Sequence, residues 1–566
     1  MTFLDYFVLL IYAAGMLFIG SILSKRNKNS ADMFAVSKQA PWWLSGVSAF
    51  MSAFSAGTFV VWGGVAYKEG AVAISILMSL GISSFIVGRF LAAKWASLGI
   101  TSVGEYVNIR FGKAVVQFYT WIGALFKIVA MSVALYAFAT LFCSLIPLED
   151  GHFLQDPATG KLSIAYACIA SGLLMLVYAV SGGLWAVLII DSIQFVVLMI
   201  TVLFVVPLCF SKVGGMNNFL AAVPEGFLKP ASGKFTYLFL LGWVVIHAFK
   251  FGGEWVFIQR FLAVSNPKNA KRSSYLFGTL YLVSPVIWML PPMIYRVIDP
   301  NANPEQAYFL ACAAVLPAGM MGLLLAAMFS SAASYIDGEI NVYAGAVTDD
   351  FYKLMVNPEA SEKQLVLVGR ISSFLIGAVI IGGAVLIPYI GGAEKVILTI
   401  TSLLVVPMVL PVIWGLFFGK ITQKAVWIAT GASFIAAIIV KTSIPIESSN
   451  SFVMLLIRNI QTLEVAVGVL VPLLILILME STRTEIASGF TKLLQMEKTI
   501  KTNDVAVVAA YPAKILAYSI GILSLLMYVL MFSADDKMLL LGSFGVVLSM
   551  ISLAILFGIK KMEKNK

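Results

Sequence analysis

The sequence predicts an all-α protein that crosses a membrane about fifteen times, and three observations support this fold class. Hydrophobic residues make up 60% of the 566 residues, and only 12% are charged. Apolar runs recur along the chain, and many reach the roughly 20 residues that a helix needs to cross a bilayer. The runs do not alternate with polar residues, as the strands of an outer-membrane barrel would. A polytopic helical membrane protein is therefore expected.

The charged residues and the cysteines limit the partners that can be expected. The formal net charge is +10, but the basic residues form short clusters between apolar runs, where they indicate topology rather than a nucleic-acid surface. The four cysteines are scattered and form no CxxC pair, so neither a structural metal nor a redox centre is predicted. We expect no nucleic acid, no enzymatic cofactor and no obligate protein partner.

The apolar runs define the predicted spans. They cover residues 3–24, 42–66, 71–94, 114–143, 163–181, 184–208, 237–258, 275–296, 318–345, 365–388, 395–416, 424–440, 462–480, 514–533 and 537–558. In the first span the positive charges follow the apolar run, whereas a secretory signal has the opposite order. This span is therefore expected to be retained as a helix.

The loops predict the orientation. The basic clusters SKRNKNS, RFGKA, NPKNAKR and GKITQK occupy alternate loops, and the chain ends in KKMEKNK. Basic loops stay in the cytoplasm, so the N-terminus is expected outside and the C-terminus inside a cell membrane. Residues 481–513 are then cytoplasmic, and their partly amphipathic pattern predicts a segment on the membrane surface.

Two spans are interrupted by small residues, SAFMSAFSAGTFVVWGGVAY (48–67) and VVIHAFKFGGEWVFIQR (244–260). Five spans run from the first to just before the second, and five more begin with the second. Because an odd number of crossings reverses orientation, the two blocks form an inverted repeat. Paired broken helices in such repeats indicate the central site of a transporter, since irregular backbone at that depth must be buried or line a cavity. Small residues could instead serve only close helix packing.

The spans divide the chain into five parts. These are an extra N-terminal helix with a cytoplasmic link (1–41), the first five-helix repeat (42–208), an extracellular loop (209–236), the second, inverted five-helix repeat (237–416) and accessory helices that include the cytoplasmic segment (417–566).

The run FSSAASYIDGEINVYAG (329–345) places polar side chains inside a predicted span. The hydroxyls of Ser330 and Ser331 suit a hard cation, which prefers oxygen ligands, and hydroxyls do not titrate near neutral pH. A metal cation is therefore favoured over a proton. Serines in membrane helices also bond back to their own helix or join two helices, so packing is the alternative.

A polar stripe continues along the same helix. Ser330, Ser334, Asp337 and Asn341 are spaced i, i+4, i+7 and i+11 and share one face, which suits a path for a released ion. Asp337 belongs either to this path or to helix packing. Glu339 lies off the stripe and is expected to form a structural pair with basic residues of the inner loops.

Further ionisable residues lie within predicted spans. His247, Lys250 and Glu254 share one helix face at i, i+3 and i+7, and Lys127 lies in the middle of LFKIVAMSVALY. Two lysines would suit an anionic solute or a hydroxyl-rich sugar. Alternatively, Lys250 pairs with Glu254, and Lys127 neutralises Glu254 or Asp191. His247 is expected to be a hydrogen-bonded packing residue rather than a proton relay.

Four segments resemble the sodium:solute symporter family, the group that contains sodium-coupled glucose, proline and sialic acid transporters. They are SGGLWAVLIIDSIQF (181–195), SVGEYVNIRFGK, FIQRFLAVSNPKNAKRS and AAMFSSAASYIDGEINVYAGAVTDDFYK. Together the matches follow in order over residues 1–440. The resemblance implies the leucine-transporter-like fold with five plus five inverted helices, which agrees with the span count.

The resemblance also implies a sodium site. The matching positions are the backbone carbonyls of Met51, Phe54 and Ala327 and the hydroxyls of Ser330 and Ser331. Sodium would be the coupling ion and the only metal.

A second cation site, or a release path, is implied less completely. In some family members an aspartate matching Asp191 joins hydroxyls of the serine helix, and Ser334 is present here. Ala333 and Ile190 stand where hydroxyl residues would help. Asp191 could therefore bind a cation, serve ion release, or bond to helix-end amides.

The substrate site is implied at the two breaks. Thr58 matches a substrate-contacting position, and the helix that carries His247, Lys250 and Glu254 lines the cavity in sugar carriers; Lys127 completes the set of candidates. The expected function is sodium-coupled import of a small polar solute, a sugar or sugar acid, by alternating access. An amino acid or carboxylate is the alternative solute, and a sensor or channel the alternative function. Neither HExxH nor GxSxG occurs, so no enzyme is expected.

Overall fold

The computed structural model describes residues 2–24, 38–143, 146, 148–157, 159–233, 235–317, 319–390, 396, 405–443, 460–499, 510–531 and 538–564. The helices, numbered in chain order, are α1 (Phe3–Ser24), α2 (Trp42–Ala53), α3 (Gly63–Glu69), α4 (Val72–Phe90), α5 (Ala92–Ser97), α6 (Val103–Phe111), α7 (Lys113–Cys143), α8 (Ile164–Lys212), α9 (Met216–Ala222), α10 (Tyr237–Gly253), α11 (Trp255–Leu262), α12 (Pro267–Ile298), α13 (Ala307–Ala313), α14 (Met320–Gly345), α15 (Glu362–Leu386), α16 (Val406–Phe417), α17 (Gln423–Ser443), α18 (Ile460–Thr482), α19 (Ser488–Thr499), α20 (Ala510–Met531) and α21 (Met538–Lys564). Wider π-helical turns cover Thr58–Trp62 and Ala346–Val356, and 3₁₀ turns cover Pro304–Gln306 and Ile387–Ile390. Strands β1 (Gln155–Asp156) and β2 (Lys161–Leu162) form a small antiparallel hairpin.

The predicted membrane character is confirmed, but not the count of fifteen spans. Among the described residues, 11 helices are long and apolar enough to cross a bilayer, or up to 13 if each bent pair is one span. The two remaining predicted spans correspond to the shorter apolar helices Ile164–Val177 and Val406–Phe417. Residues 397–404 of the second one lie outside the described part.

Helix α8 differs from the prediction of two spans over 163–181 and 184–208. Its 49 residues are continuously helical, a length of about 74 Å, which is more than twice the hydrocarbon thickness. One straight span of that length would place apolar surface far outside the membrane. Its two apolar segments, Ile164–Val177 and Leu184–Lys212, therefore remain separate candidate spans within one helix.

Both predicted breaks are present. The chain bends by 60° between Trp42–Ala53 and Thr58–Glu69, and by 55° between α10 and α11. At the first break Phe54 adopts extended backbone (φ −109°, ψ 131°), which turns its carbonyl away from the helical ladder. At the second, Glu254 is extended (φ −73°, ψ 137°).

The site lies where these breaks meet the longer helices. Helix α2 packs against α8, α12 and α14, and α14 in turn contacts α1, α7, α8 and α15. Among the candidate spans, the one that contains α14 has the largest buried share. The polar run predicted on α14 is therefore enclosed by protein rather than by lipid.

The predicted cytoplasmic segment 481–513 contains α19, which contacts α6. Lys94 Nζ pairs with Glu497 Oε2 at 2.7 Å, and the Ser97 hydroxyl donates to Glu497 Oε1 at 2.9 Å. Burial alone would raise the pKa of Glu497, but these hydrogen bonds and the charge of Lys94 outweigh it and lower the pKa below its usual value. The segment is thus tied to α5 and α6 by specific contacts.

Candidate functional site

A cavity of about 110 Å³ lies between the two breaks, with room for several water molecules. Its wall includes Thr58, His247, Lys250 and Glu254, so four predicted substrate residues share one cavity. Thr58 also accepts a hydrogen bond from the Ser55 amide at 3.3 Å, which stabilises the break.

Other residues on the same wall were not predicted as substrate contacts. They include Ser52, Trp243 and Glu339. The Ser52 hydroxyl is buried and has no hydrogen-bond partner among the described residues. Its position two residues before the extended Phe54 was the signal that could have identified it, because polar groups at an intramembrane break are buried in protein or line a cavity.

Lys127 does not line this cavity but forms an ion-pair cluster behind it. Its Nζ lies 2.8 Å from Glu254 Oε2 and 2.5 Å from Glu339 Oε1. The predicted neutralisation of Glu254 by Lys127 is therefore present, and Asp191 is not its partner. Glu339 is paired as predicted, but with an intramembrane lysine rather than with the inner loops. We call Lys127, Glu254 and Glu339 the ion-pair cluster.

The predicted pair between Lys250 and Glu254 is not formed. Within the described part of the chain, no carboxylate oxygen lies within 4.0 Å of the Lys250 ammonium. The reason is that the Glu254 carboxylate is directed to Lys127. Lys250 is partly exposed and faces the cavity.

His247 has a defined hydrogen bond. Its Nδ1 lies 3.0 Å from the Trp243 carbonyl oxygen, and the two rings are 4.6 Å apart. Because a carbonyl oxygen can only accept, Nδ1 carries the proton and Nε2 of the neutral ring is left as an acceptor. The predicted packing role is observed, and a free acceptor remains on a cavity-lining residue.

A second cavity of about 50 Å³ lies on the far side of the ion-pair cluster. Its wall includes Lys127, Glu254, Trp255 and Tyr343, together with apolar residues of α16. The Trp255 and Tyr343 rings are stacked with centroids 6.1 Å apart. The ion-pair cluster therefore separates two internal cavities.

The five predicted sodium ligands are all buried on two helices that pack together. Met51, Phe54, Ala327, Ser330 and Ser331 are each at most 1% exposed, and α2 contacts α14. Phe54 has an extended backbone. Its carbonyl therefore points away from the hydrogen bonds of the helix. The five positions thus lie on or next to two helices that pack together, and their role as sodium ligands stays a prediction.

The hydroxyls of Ser330 and Ser331 each donate a hydrogen bond within the protein. Ser330 donates to the Tyr12 hydroxyl at 2.9 Å, and Ser331 donates to the Met328 carbonyl at 2.9 Å. Donation uses only the proton of each hydroxyl, so oxygen lone pairs remain for a cation. The contact from Tyr12 was not predicted, because α1 lies outside the repeats and no sequence signal links it to Ser330.

Asp191 lies at the centre of a buried network. It accepts hydrogen bonds from Ser48, at 2.5 Å, and from Ser334. Arg260 Nε donates to the Ser48 hydroxyl at 3.4 Å, and its charge interacts with those of Asp191 and Asp337. The predicted contact between Asp191 and Ser334 is present. The Asp191 carboxylate accepts hydrogen bonds from hydroxyls rather than from helix-end amides.

The polar stripe of α14 continues past this network. Asp337 is buried, at 3% exposure, and Asn341 accepts from Gln259 Nε2 at 3.0 Å. The neighbouring Gly338 allows Arg260 to approach, since a Cβ there would lie 3.0 Å from Arg260 Nη2. A guanidinium beside the stripe was missed in the sequence, although it lies in the matched segment FIQRF.

Comparisons with known proteins identify the family of this chain and proteins that resemble it. A model of the sodium:solute symporter family matches residues 34–430. A sodium/glucose cotransporter of Vibrio parahaemolyticus is 28% identical over 486 residues, covering 78% of this chain and 86% of that protein. A sodium/sialic acid symporter of Proteus mirabilis is 24% identical over 394 residues, covering 66% and 76%. A sodium/proline symporter of Haemophilus influenzae is 26% identical over 393 residues, covering 66% and 75%.

A solved structure shares the fold. The substrate-bound, outward-open state of a Na⁺-coupled sialic acid symporter superposes with a TM-score of 0.69 at 22% identity, covering 84% of this chain and 98% of that one. Since the family model spans well over half of the chain, this multi-pass membrane protein belongs to the sodium:solute symporter family.

Proposed function

We propose that this protein is a sodium-coupled symporter that imports a small polar solute, a sugar or sugar acid, by alternating access across the cell membrane. The observation that carries the proposal is the polar cavity between two broken helices, with buried serines on the adjoining helix. Its wall combines hydroxyl, imidazole and ammonium groups with the indoles of Trp62 and Trp243. Such a wall offers hydrogen bonds to hydroxyl groups and flat faces to a sugar ring. The names of the sodium/glucose and sodium/sialic acid relatives support the same solute classes.

Sodium is the proposed cargo ion, bound by the carbonyls of Met51, Phe54 and Ala327 and the hydroxyls of Ser330 and Ser331. All five donors are neutral oxygens that keep their protonation state near neutral pH, so the site suits a hard monovalent cation rather than a proton. Ser334 and Asp337 lie further along α14 and are candidates for the path of release. Asp191 of α8, which accepts a hydrogen bond from Ser334, is the third candidate. In this proposal the N-terminus is outside and the C-terminus cytoplasmic, as the basic loops predict.

The available driving force is sufficient for accumulation. A tenfold sodium gradient contributes about 1.4 kcal/mol per ion. A membrane potential of roughly 100 mV adds about 2.3 kcal/mol for each net charge that moves. The first contribution is present for any solute, and the second depends on the charge of the solute.

Reconstituted protein tests the proposal directly. We expect proteoliposomes with an inward sodium gradient to accumulate at least one member of a panel of sugars, sugar acids, proline and a dicarboxylate, and choline in place of sodium to abolish uptake. Uptake that is equal in choline would contradict symport. Uptake of proline or the dicarboxylate alone would select the alternative solute class.

Ser331→Ala provides the test of the sodium site. We expect the sodium concentration for half-maximal uptake to rise several-fold, because one ligand oxygen is lost, while protein abundance is unchanged. Ser284→Ala is the matched control, since this buried serine bonds back to Leu280 in α12 and is not among the proposed ligands. Equal sodium dependence in the two variants would remove Ser331 from the site.

A further inference from the structure

Helix α1 lies outside the two repeats, and only a narrow stripe of it is buried. The stripe includes Asp5, Val8, Tyr12 and Met16, which are spaced i, i+3, i+7 and i+11 and are each at most 8% exposed. The helix packs against α8 and α14. Asp5 and Tyr12 are the polar members of this set, and a buried polar group costs free energy unless it forms a hydrogen bond.

Asp5 fixes α1 to the first turn of α14. Its Oδ1 accepts hydrogen bonds from the backbone amides of Gly319 and Gly322 at 2.7 and 3.0 Å. Amides in the first turn of a helix have no partner within that helix, and its positive dipole end favours a carboxylate. Gly322 permits the close approach of the two helices, because a Cβ at this position would clash with the Asp5 backbone.

Tyr12 contacts the same helix further along. The Ser330 hydroxyl donates a hydrogen bond to the Tyr12 hydroxyl at 2.9 Å. Tyr12 lies two turns after Asp5, and Ser330 lies about two turns after Gly322, so the two helices run parallel with their polar contacts in register. Both polar residues of the stripe therefore bind α14, the helix that carries the serines of the proposed sodium site.

The contact with Tyr12 determines where the proton of the Ser330 hydroxyl lies. The neighbouring Ser331 donates to the Met328 carbonyl of its own helix, which is a common arrangement for serines in membrane helices, whereas Ser330 donates to a different helix. A hydroxyl has one proton, which repels a cation, and two lone pairs, which bind one. Because the proton is held by Tyr12, both lone pairs of Ser330 stay available to an ion.

We propose that Tyr12 is a positioning residue of the sodium site, which acts through Ser330 and does not itself touch the ion. The inference rests on the proposed sodium site and adds α1 to the elements that determine its affinity. Without the Tyr12 acceptor, the Ser330 hydroxyl would turn back to a carbonyl of its own helix or leave its proton beside the ion. Sodium would then bind more weakly. The wall of the central cavity is formed by other residues, so binding of the solute should not change.

Tyr12→Phe tests this role, because it removes the acceptor and keeps the ring. The readout is the sodium concentration that gives half of the sodium-dependent thermal stabilisation in detergent, with choline keeping the ionic strength constant. We expect this concentration to rise about three- to tenfold, as for the loss of one hydrogen bond, and the midpoint of thermal unfolding in choline alone to be unchanged. Tyr6→Phe, at an exposed tyrosine of the same helix, is the matched control and should behave as the wild type.

A merely structural role of Tyr12 gives a different result. It would lower the midpoint of thermal unfolding in choline and leave the half-maximal sodium concentration unchanged, which would overturn the proposal. A lower half-maximal concentration in Tyr12→Phe would overturn it as well, since Tyr12 would then compete with sodium for Ser330.

A double-mutant cycle shows whether Tyr12 acts through Ser330. We expect Ser330→Ala to raise the half-maximal sodium concentration, and Tyr12→Phe to have no further effect in that background, because both changes act on one hydroxyl. Independent effects of the two substitutions would overturn the role of Tyr12 while the sodium site stands. Unchanged sodium dependence in Ser330→Ala would remove Ser330 from the sodium site and overturn this inference with it, whereas symport itself is judged by the replacement of sodium with choline during uptake.

Discussion

Lys127 is the residue that pairs directly with two deeply buried carboxylates. It holds Glu254 and Glu339, whose side chains are only 6% and 2% exposed. Removing one partner of a buried ion pair leaves an uncompensated charge in a medium of low polarity. The ion-pair cluster is therefore expected to stabilise the fold as well as to separate the two cavities.

Substitution of Lys127 tests this role. We expect Lys127→Met to destabilise the protein by about 3–5 kcal/mol, the usual cost of breaking a buried pair, seen as a lower midpoint of thermal unfolding in detergent. The double variant Lys127→Met, Glu339→Gln removes one positive and one negative charge, leaves Glu254 and Lys250 to balance each other, and should recover much of that loss. A Lys127→Met protein as stable as the wild type would show that the carboxylates do not depend on this lysine.

The charged residues could be predicted from the sequence, but their pairing could be predicted only in part: Glu254 was one of two partners considered for Lys127, whereas Glu339 was not considered. Charged side chains inside apolar runs made Lys127, Lys250 and Glu254 candidates for a functional site. Lys127 meets partners 127 and 212 positions away, a distance over which no helical period applies. The i, i+4 spacing offered Glu254 as an alternative partner for Lys250, but the Glu254 carboxylate contacts Lys127 instead.

At the scale of elements, the break between α10 and α11 depends on close packing at its glycines. A Cβ on Gly253 would lie 2.6 Å from Val409 Cβ and 3.0 Å from Ile413 Cδ1 of α16. Contacts this short cannot persist, so α16 or the break itself would have to move. The glycine pair in FKFGGEW is thus needed for the approach of α16 as well as for the bend.

Gly253→Ala should therefore impair transport. We expect a destabilisation of about 1–3 kcal/mol, as for other overpacked sites, and a reduced rate of sodium-driven uptake per folded molecule. Gly382→Ala is the matched control, because nothing lies within 4 Å of its added Cβ in α15 and alanine favours a helix. If both variants were equally active and stable, the fit of α16 against the break would not matter.

Element boundaries were predicted well where apolar runs end in polar loops and poorly where they do not. The first span, predicted as 3–24, is Phe3–Ser24. In contrast, the two spans predicted over 163–181 and 184–208 belong to one continuous helix, α8. Glycines tolerate a bend but do not impose one. At Phe54 and Glu254 the surrounding helices hold the extended backbone in place. The hydrogen bond of the Ser330 hydroxyl likewise depends on Tyr12 of α1. The repeat pattern does not predict the position of this helix.

At the scale of the whole molecule, the fold class could be predicted because the bilayer permits few solutions. Backbone groups must be satisfied internally, so long apolar runs become helices, and irregular segments are confined to enclosed sites. The cavity lies at the two predicted breaks for this reason. The solute was not predictable to the same degree, since the accessible charge of the cavity is set by a balance among residues on α7, α10 and α14.

The charge of the solute also determines how the whole transporter responds to voltage. If one sodium ion accompanies one singly charged acid, no net charge crosses the membrane, and the potential cannot drive the cycle. For a neutral solute, roughly 100 mV would contribute about 2.3 kcal/mol, about a fiftyfold effect on accumulation.

We expect steady-state accumulation of galacturonate in proteoliposomes to change less than twofold when valinomycin and potassium impose such a potential. Collapse of the sodium gradient should abolish accumulation in the same vesicles. A large increase in accumulation with an inside-negative potential would require more than one sodium ion per acid, and therefore a second cation site in addition to the one proposed on α2 and α14.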